Sequence, residues 1–169
     1  IRQMRSRDGK TGAFKKSDAR IFDEPELLGA ITINDEGTLV LSEVSGYEDA
    51  ITDDMMRMLS WVVGNLNALY SEEVVRKVRR INIVEGNERL ADSDRNVAEI
   101  TIDIDAFGSQ YLLFMEAEHE LMHVMGILGE RAPPGIEELY VLVKEVERFR
   151  SYNTLQKAQV ILALLRDPD

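Results

Sequence analysis

Both histidines of this 169-residue chain fall within five residues, His119-Glu120-Leu121-Met122-His123. Residues four apart stack on one face of a helix, so two imidazoles at this spacing converge on one point only if the segment is helical. The surrounding sequence agrees: residues 109–128 read as one long helix, followed by a break over 129–135 that contains Pro133 and Pro134. The chain has no cysteine, which excludes disulfides, thiolate nucleophiles, iron–sulfur clusters and thiolate zinc sites. A metal gathered by this helix must be held by His, Asp or Glu.

The remaining sequence predicts an α+β frame of one domain, for which an apolar fraction of 44 % suffices to build one core. Residues 30–34 and 38–41 flank the turn signal Asp35-Glu36-Gly37 and read as a β-hairpin. Residues 53–69 place Met55, Met56, Leu59, Val62, Val63 and Leu66 at helical spacing and form a largely buried backing helix. Ser71 is a candidate cap for a helix over 72–78, which leads into a strand over 80–84. Asp92-Ser93-Asp94-Arg95-Asn96 spaces its oxygens like the start of a calcium loop, but Val97 stands where that loop needs glycine, and a solvated loop explains the segment. Residues 97–106 alternate Ile100, Ile102 and Ile104 with Thr101, Asp103 and Asp105, the clearest strand pattern in the chain. Helices over 136–150 and 154–166 complete the reading.

Charge divides the chain. Residues 1–20 carry seven basic and two acidic groups, a net +5 against −11 for the whole, so the rest holds −16. This basic arm is expected to be poorly ordered, or to lie across the acidic body, 21–169, as an inhibitory segment. Its only ring is Phe14, and the acidic body disfavours nucleic acid as a partner. No apolar run approaches the roughly 20 residues of a membrane span. The chain begins with Ile and shows no signal-peptide pattern, which predicts a fragment or processed form and leaves cytosolic, exported and delivered locations open.

The pentapeptide has the spacing that metal-assisted hydrolysis needs. Zinc held by two imidazoles and a carboxylate keeps a fourth position for a water, lowers its pKa to about 7 and polarises a carbonyl. Glu120 lies one step round the helix from His119, where its carboxylate reaches that water without becoming a ligand. For the third ligand, a metzincin pattern would continue through Gly126 to a His or Asp, but Gly129 stands at that position and Glu130 is one residue out of place. In the gluzincin pattern the third ligand is a Glu on the next helix, and here that helix opens Gly135-Ile136-Glu137-Glu138-Leu139.

The pair HELMH (119–123) and IEEL (136–139), with Gly129 between, resembles the active-site signature of clostridial neurotoxin light chains and NleD-type bacterial effector proteases. The resemblance covers about 20 residues, and Tyr140, Val141 and Leu142 replace the Thr and Gly common after EEL in those families. It implies a zincin-like metalloprotease fold, with a small mixed sheet, a backing helix, the HExxH helix and a glutamate helix. It also implies Zn²⁺ on His119, His123 and Glu138, with Glu137 in support. Helical phase offers a separate criterion: with Leu139, Val143, Val146 and Leu142 turned to the core, Glu138 sits at the edge of that stripe, ranking ahead of Glu145 and Glu137.

An oxyanion donor besides the metal is sought in Tyr152, Arg148 and Arg150, where some relatives place an Arg and a Tyr. The strand through Ile102, Asp103 and Ile104 resembles a zincin edge strand that pairs with an extended peptide. The expected function is zinc-dependent hydrolysis of peptide bonds in a protein or peptide substrate, with Glu120 as general base. The rival is a catalytically inactive zincin-fold interaction or regulatory domain.

Overall fold

The computed structural model describes residues 2–4, 14–16, 24–127, 129 and 132–165. In the arm, β1 (Arg2–Met4) pairs antiparallel with β2 (Phe14–Lys16). Most of residues 1–20 lie outside the described residues, and with them the expectation of a disordered or inhibitory arm.

The hairpin forms because two runs able to bury alternate side chains flank a turn that closes itself. Asn34 Oδ1 accepts from the backbone N–H of Glu36 and Thr38 at 3.0 and 2.8 Å, and Gly37 takes a φ of +81°. The strands are β3 (Glu26–Ile33) and β4 (Leu39–Glu43), with Ile31 opposite Leu41. Next comes α1 (Asp53–Tyr70), capped by Thr52 Oγ1, which accepts from Met55 N at 3.2 Å. The following α2 (Glu72–Val75) is shorter than expected, and the Ser71 side chain does not cap it. Ser71 has a φ of 80°, and its N–H instead closes α1 on the Asn67 carbonyl at 3.0 Å.

Three further strands, β5 (Arg80–Glu85), β6 (Ala91–Asp94) and β7 (Glu99–Asp103), complete a five-stranded mixed sheet in the order β4-β3-β5-β7-β6. Only β5 and β7 run parallel, with Ile83 beside Ile102; β6 is antiparallel to β7, with Ala91 opposite Ile102. Two expectations are corrected. The strand read over 97–106 ends at Asp103, whose side chain accepts from Asp105 N at 2.9 Å and starts the 3-10 turn Ile104–Gly108. That strand is also no edge: β7 is covered on one side by β5 and on the other by β6. Ile102 and Asp103 are buried, and Ile104 has left the sheet, so none of the three can pair with a substrate. The edge on this side is β6, formed from the segment read as a solvated loop; a short polar strand at a sheet margin leaves no apolar alternation to detect.

Three helices follow: α3 (Gln110–Met125), α4 (Pro134–Ser151) and α5 (Thr154–Leu165). One core joins Leu59, Val62 and Leu66 of α1 and Leu113 and Leu121 of α3 to Ile31, Ile83 and Ile102 of the sheet. A smaller cluster locks α5 onto α3 through Leu112, Met115, Val160 and Ala163. Thus α3 is buried nearly all round, while α4 packs on α3 with an unusual polarity. Val141 is its fully buried apolar residue, Glu137 is buried beside it, and Leu139, Leu142, Val143 and Val146 face solvent. The phase expected for α4 is reversed, because charged partners on α3 draw its polar face inward. No helix among the described residues is long and apolar enough to cross a membrane.

Ile102→Ala, at a fully buried central position, is expected to cost about 2–5 kcal/mol, whereas Val40→Ala, half exposed on β4, costs within about 0.5 kcal/mol. Urea unfolding followed by circular dichroism checks the contrast; equal losses would contradict the central placement of β7.

Candidate metal centre

The site begins with the two ends of α3. Ser109 Oγ accepts from the backbone N–H of Tyr111 and Leu112 at 3.2 and 3.4 Å, fixing the helix start. At the other end Gly126, in the left-handed region at φ 60°, turns the chain away after Met125. Between them the buried flank of Leu113, Ala117 and Leu121 sets the rotation of α3, so that His119, Glu120 and His123 line a cleft of about 810 Å³ bounded by β6 and α4.

The imidazoles converge as the spacing requires. Their Nε2 atoms stand 3.3 Å apart, and the Glu138 carboxylate reaches across from α4, 3.4 Å from His119 Nε2 and 2.7 Å from His123 Nε2. Each opposite ring nitrogen meets its own carboxylate: His119 Nδ1 lies 3.3 Å from Glu145 Oε2, and His123 Nδ1 lies 3.0 Å from Glu137 Oε1. A neutral imidazole that donates from Nδ1 presents a lone pair at Nε2. In that neutral form two such lone pairs and the Glu138 oxygens share one small space. A cation satisfies all of them, and two nitrogens with a carboxylate oxygen make a donor set suited to zinc with a position left open. His119, Glu120 and His123 also place one donor atom each within 4.8 Å of one another. Both Glu120 and Glu138 are thus near the imidazoles, but Glu138 is the one facing both Nε2 atoms, whereas Glu120 accepts from Ser93 Oγ on β6 at 3.3 Å.

Electrostatics separates the roles further. Burial opposes a charge on His119, but the bond to Glu145 and the carboxylates of Glu120, Glu145 and Glu138 outweigh it, pushing its pKa up to about 9. Burial raises the pKa of Glu120 above the usual carboxylate value, against the pull of His119 and His123. Glu137 goes the other way: burial disfavours its charge, yet bonds from His123 and Arg95 hold its pKa below the usual carboxylate range.

Arg95, in the β6–β7 turn, is a participant that sequence reasoning missed. Its Nε donates to the His123 carbonyl at 2.8 Å, and its guanidinium pairs with Glu137. It joins the end of α3 to the start of α4. A Cβ at position 126 would meet the guanidinium carbon only in ordinary contact at 3.4 Å, so it is the left-handed backbone at φ 60° that favours glycine there. Ser93 and Arg95 fall in the calcium-like segment; Asn96 as a turn residue between two short runs is the signal that marks a β6–β7 hairpin.

Other expected participants are elsewhere. The Tyr152 hydroxyl donates to the Tyr111 carbonyl at 3.1 Å, its rings stack edge-on at 5.3 Å, and burial pushes its pKa upward. It does not line the cleft. Arg148 grips the buried Glu118 through two bonds of 3.0 and 2.9 Å, beside the Tyr70 hydroxyl at 2.9 Å from the same carboxylate. Arg150 is exposed near the end of α4. Among the described residues, the cations lining the cleft are Arg89 and Arg95.

Comparison of the chain with protein-family models, with curated protein sequences and with solved structures gives no significant match.

Two expectations follow from the geometry. In metal-free protein, the stabilisation from the raised His119 pKa is complete below the ordinary imidazole value of 6.5 and is lost as pH rises through about 9. NMR of the imidazole should therefore show His119 titrating near 9, with the urea midpoint falling across that window and flattening in His119→Gln; a titration near 6.5 would contradict the carboxylate cage. Arg95→Met frees Glu137 from its clamp and should weaken zinc binding by about 10–100-fold in chelator competition, with little change in the far-ultraviolet spectrum.

Proposed function

We propose that this chain is a zinc-dependent peptidase with a zincin-like arrangement of the gluzincin type, holding the metal on His119, His123 and Glu138. The observation that carries the reading is the convergence of both Nε2 atoms and the Glu138 carboxylate, with each Nδ1 backed by its own carboxylate. When bound, zinc would activate a water and polarise the scissile carbonyl. The chain's own groups do the rest. Glu145 and Glu137 hold the rings in the tautomer that offers Nε2. Glu120, buried and steadied by Ser93, takes a proton from the attacking water and hands it to the departing amine, so the proton count closes within one turnover.

The substrate-pairing role proposed for an edge strand passes to β6, whose outer margin is the one beside the cleft. Main-chain N–H and C=O groups there suit an extended peptide laid antiparallel or parallel to the strand. The rival of an inactive interaction domain on the same frame is supported by the outward apolar stripe of α4, and it predicts no turnover, with zinc absent or bound without activity.

Glu120→Gln separates the two. It keeps shape and hydrogen bonding but cannot accept the proton, so turnover should fall by about 10²–10⁴-fold while about one zinc per chain remains. Terminal-peptide profiling of a proteome treated with wild type and variant, with zinc measured on both, provides the readout. Equal cleavage by the variant would overturn the mechanism, and zinc-loaded wild type without cleavage would favour the rival.

A further inference from the structure

The outer face of α4 repeats apolar residues at intervals of three and four: Ile136, Leu139, Val143 and Val146, each 49–59 % exposed, flanked by Leu142 at 42 %. In heptad terms these are consecutive a and d positions, with β-branched Ile and Val at a and Leu leading at d. The opposite face carries Glu137, Glu138, Glu145 and Arg148, all turned toward α3. The stripe therefore points away from α3, and among the described residues it is left open to a second helix. Surface apolar side chains scattered singly need no cause, but a seam of this regularity does.

We propose that α4 is a self-association surface, pairing antiparallel with α4 of a second copy across a two-fold axis; this does not depend on the peptidase reading. The register is fixed by the seam itself. Only one antiparallel alignment buries all four residues, with Ile136 against the partner's Val146 and Leu139 against the partner's Val143, and each pair repeated by symmetry. The axis then passes beside position 141 and brings Leu142 close to its own copy on one flank and Tyr140 close to its own copy on the other. Both contacts are free of like charge. Glu147 lies opposite the start of the partner helix, where a carboxylate is favoured. A parallel pair would also align the seam, but its next a position is Arg150, which would face its own copy. Antiparallel pairing separates those two cations by about 27 Å at 1.5 Å per residue. Heptad spacing and charge together select the second copy in this orientation.

Four seam residues span about 15 Å, a short contact beside the roughly 800 Å² per partner of a standard interface, so the association expected is weak and reversible. The chain has no cysteine, so single introduced thiols report on the pairing without background. Sedimentation equilibrium of the zinc-loaded chain at up to about 100 µM should show a monomer–dimer equilibrium. A short bis-maleimide should link Leu142→Cys to itself and leave Arg150→Cys unlinked. Leu139→Glu, with Val143→Glu as a second variant, should give monomer with an unchanged circular dichroism spectrum and zinc content. Linking through Arg150→Cys instead, a dimer that survives both glutamate variants, or a wild type that stays monomeric throughout would each overturn the proposal.

Discussion

Everything distinctive about this structure depends on carboxylates meeting imidazole nitrogens across the gap between α3 and α4. Helix pairs in globular proteins are ordinarily joined by interlocking apolar ridges. Here the inner face of α4 offers Val141 as its fully buried apolar residue, and the helix is positioned by charge: Glu137, Glu138 and Glu145 toward the two histidines, and Arg148 toward Glu118. Such pairs gain from low dielectric only where partners are complete, since a buried carboxylate without its cation is costly. The same arrangement therefore fixes helix placement and the chemistry of the cleft.

Arg95 extends this logic to the sheet. By bonding the last turn of α3 and the first turn of α4 together, the β6–β7 turn ties the strand edge to the two helices that carry the histidines and their facing carboxylates. The cleft is thus bounded on three sides by elements that share a hydrogen-bonded network. Meanwhile the Glu118–Arg148–Tyr70 cluster pins the far side of α3 to α4, so that the histidine face does not bear the whole helix contact.

What could be read from the sequence was whatever depends on local periodicity. His119 and His123 at a spacing of four, the branched alternation around Ile100 and Ile102, and the apolar repeat of 53–69 each carry their own structural instruction, and the corresponding helices and strand are present. Glu138 faces the two Nε2 atoms, but helical phase was the wrong reason for selecting it. The apolar stripe was assumed to turn inward, and only tertiary pairing reveals that charges on α3 reverse α4. Sheet order was equally hidden, because nothing in Ile102 or Asp103 tells whether another strand lies beyond. A neighbour as short and polar as Ala91–Asp94 leaves almost no trace. Arg95 is a non-local contact: its partners are 28 and 42 residues away, and no spacing rule spans that interval.

The division of the donor set between two helices has a topological consequence. His123 and Glu138 are separated by a loop containing Gly126, Gly129, Pro133 and Pro134, so an ion held by both would close a ring of about 15 residues. In the chain-entropy picture a covalent cross-link over a loop of that size is worth about 3 kcal/mol, chiefly by restricting the unfolded chain. A protein without sulfur bridges would thereby acquire a reversible staple. Its closure would follow the supply of free metal in its surroundings, as a disulfide follows redox poise.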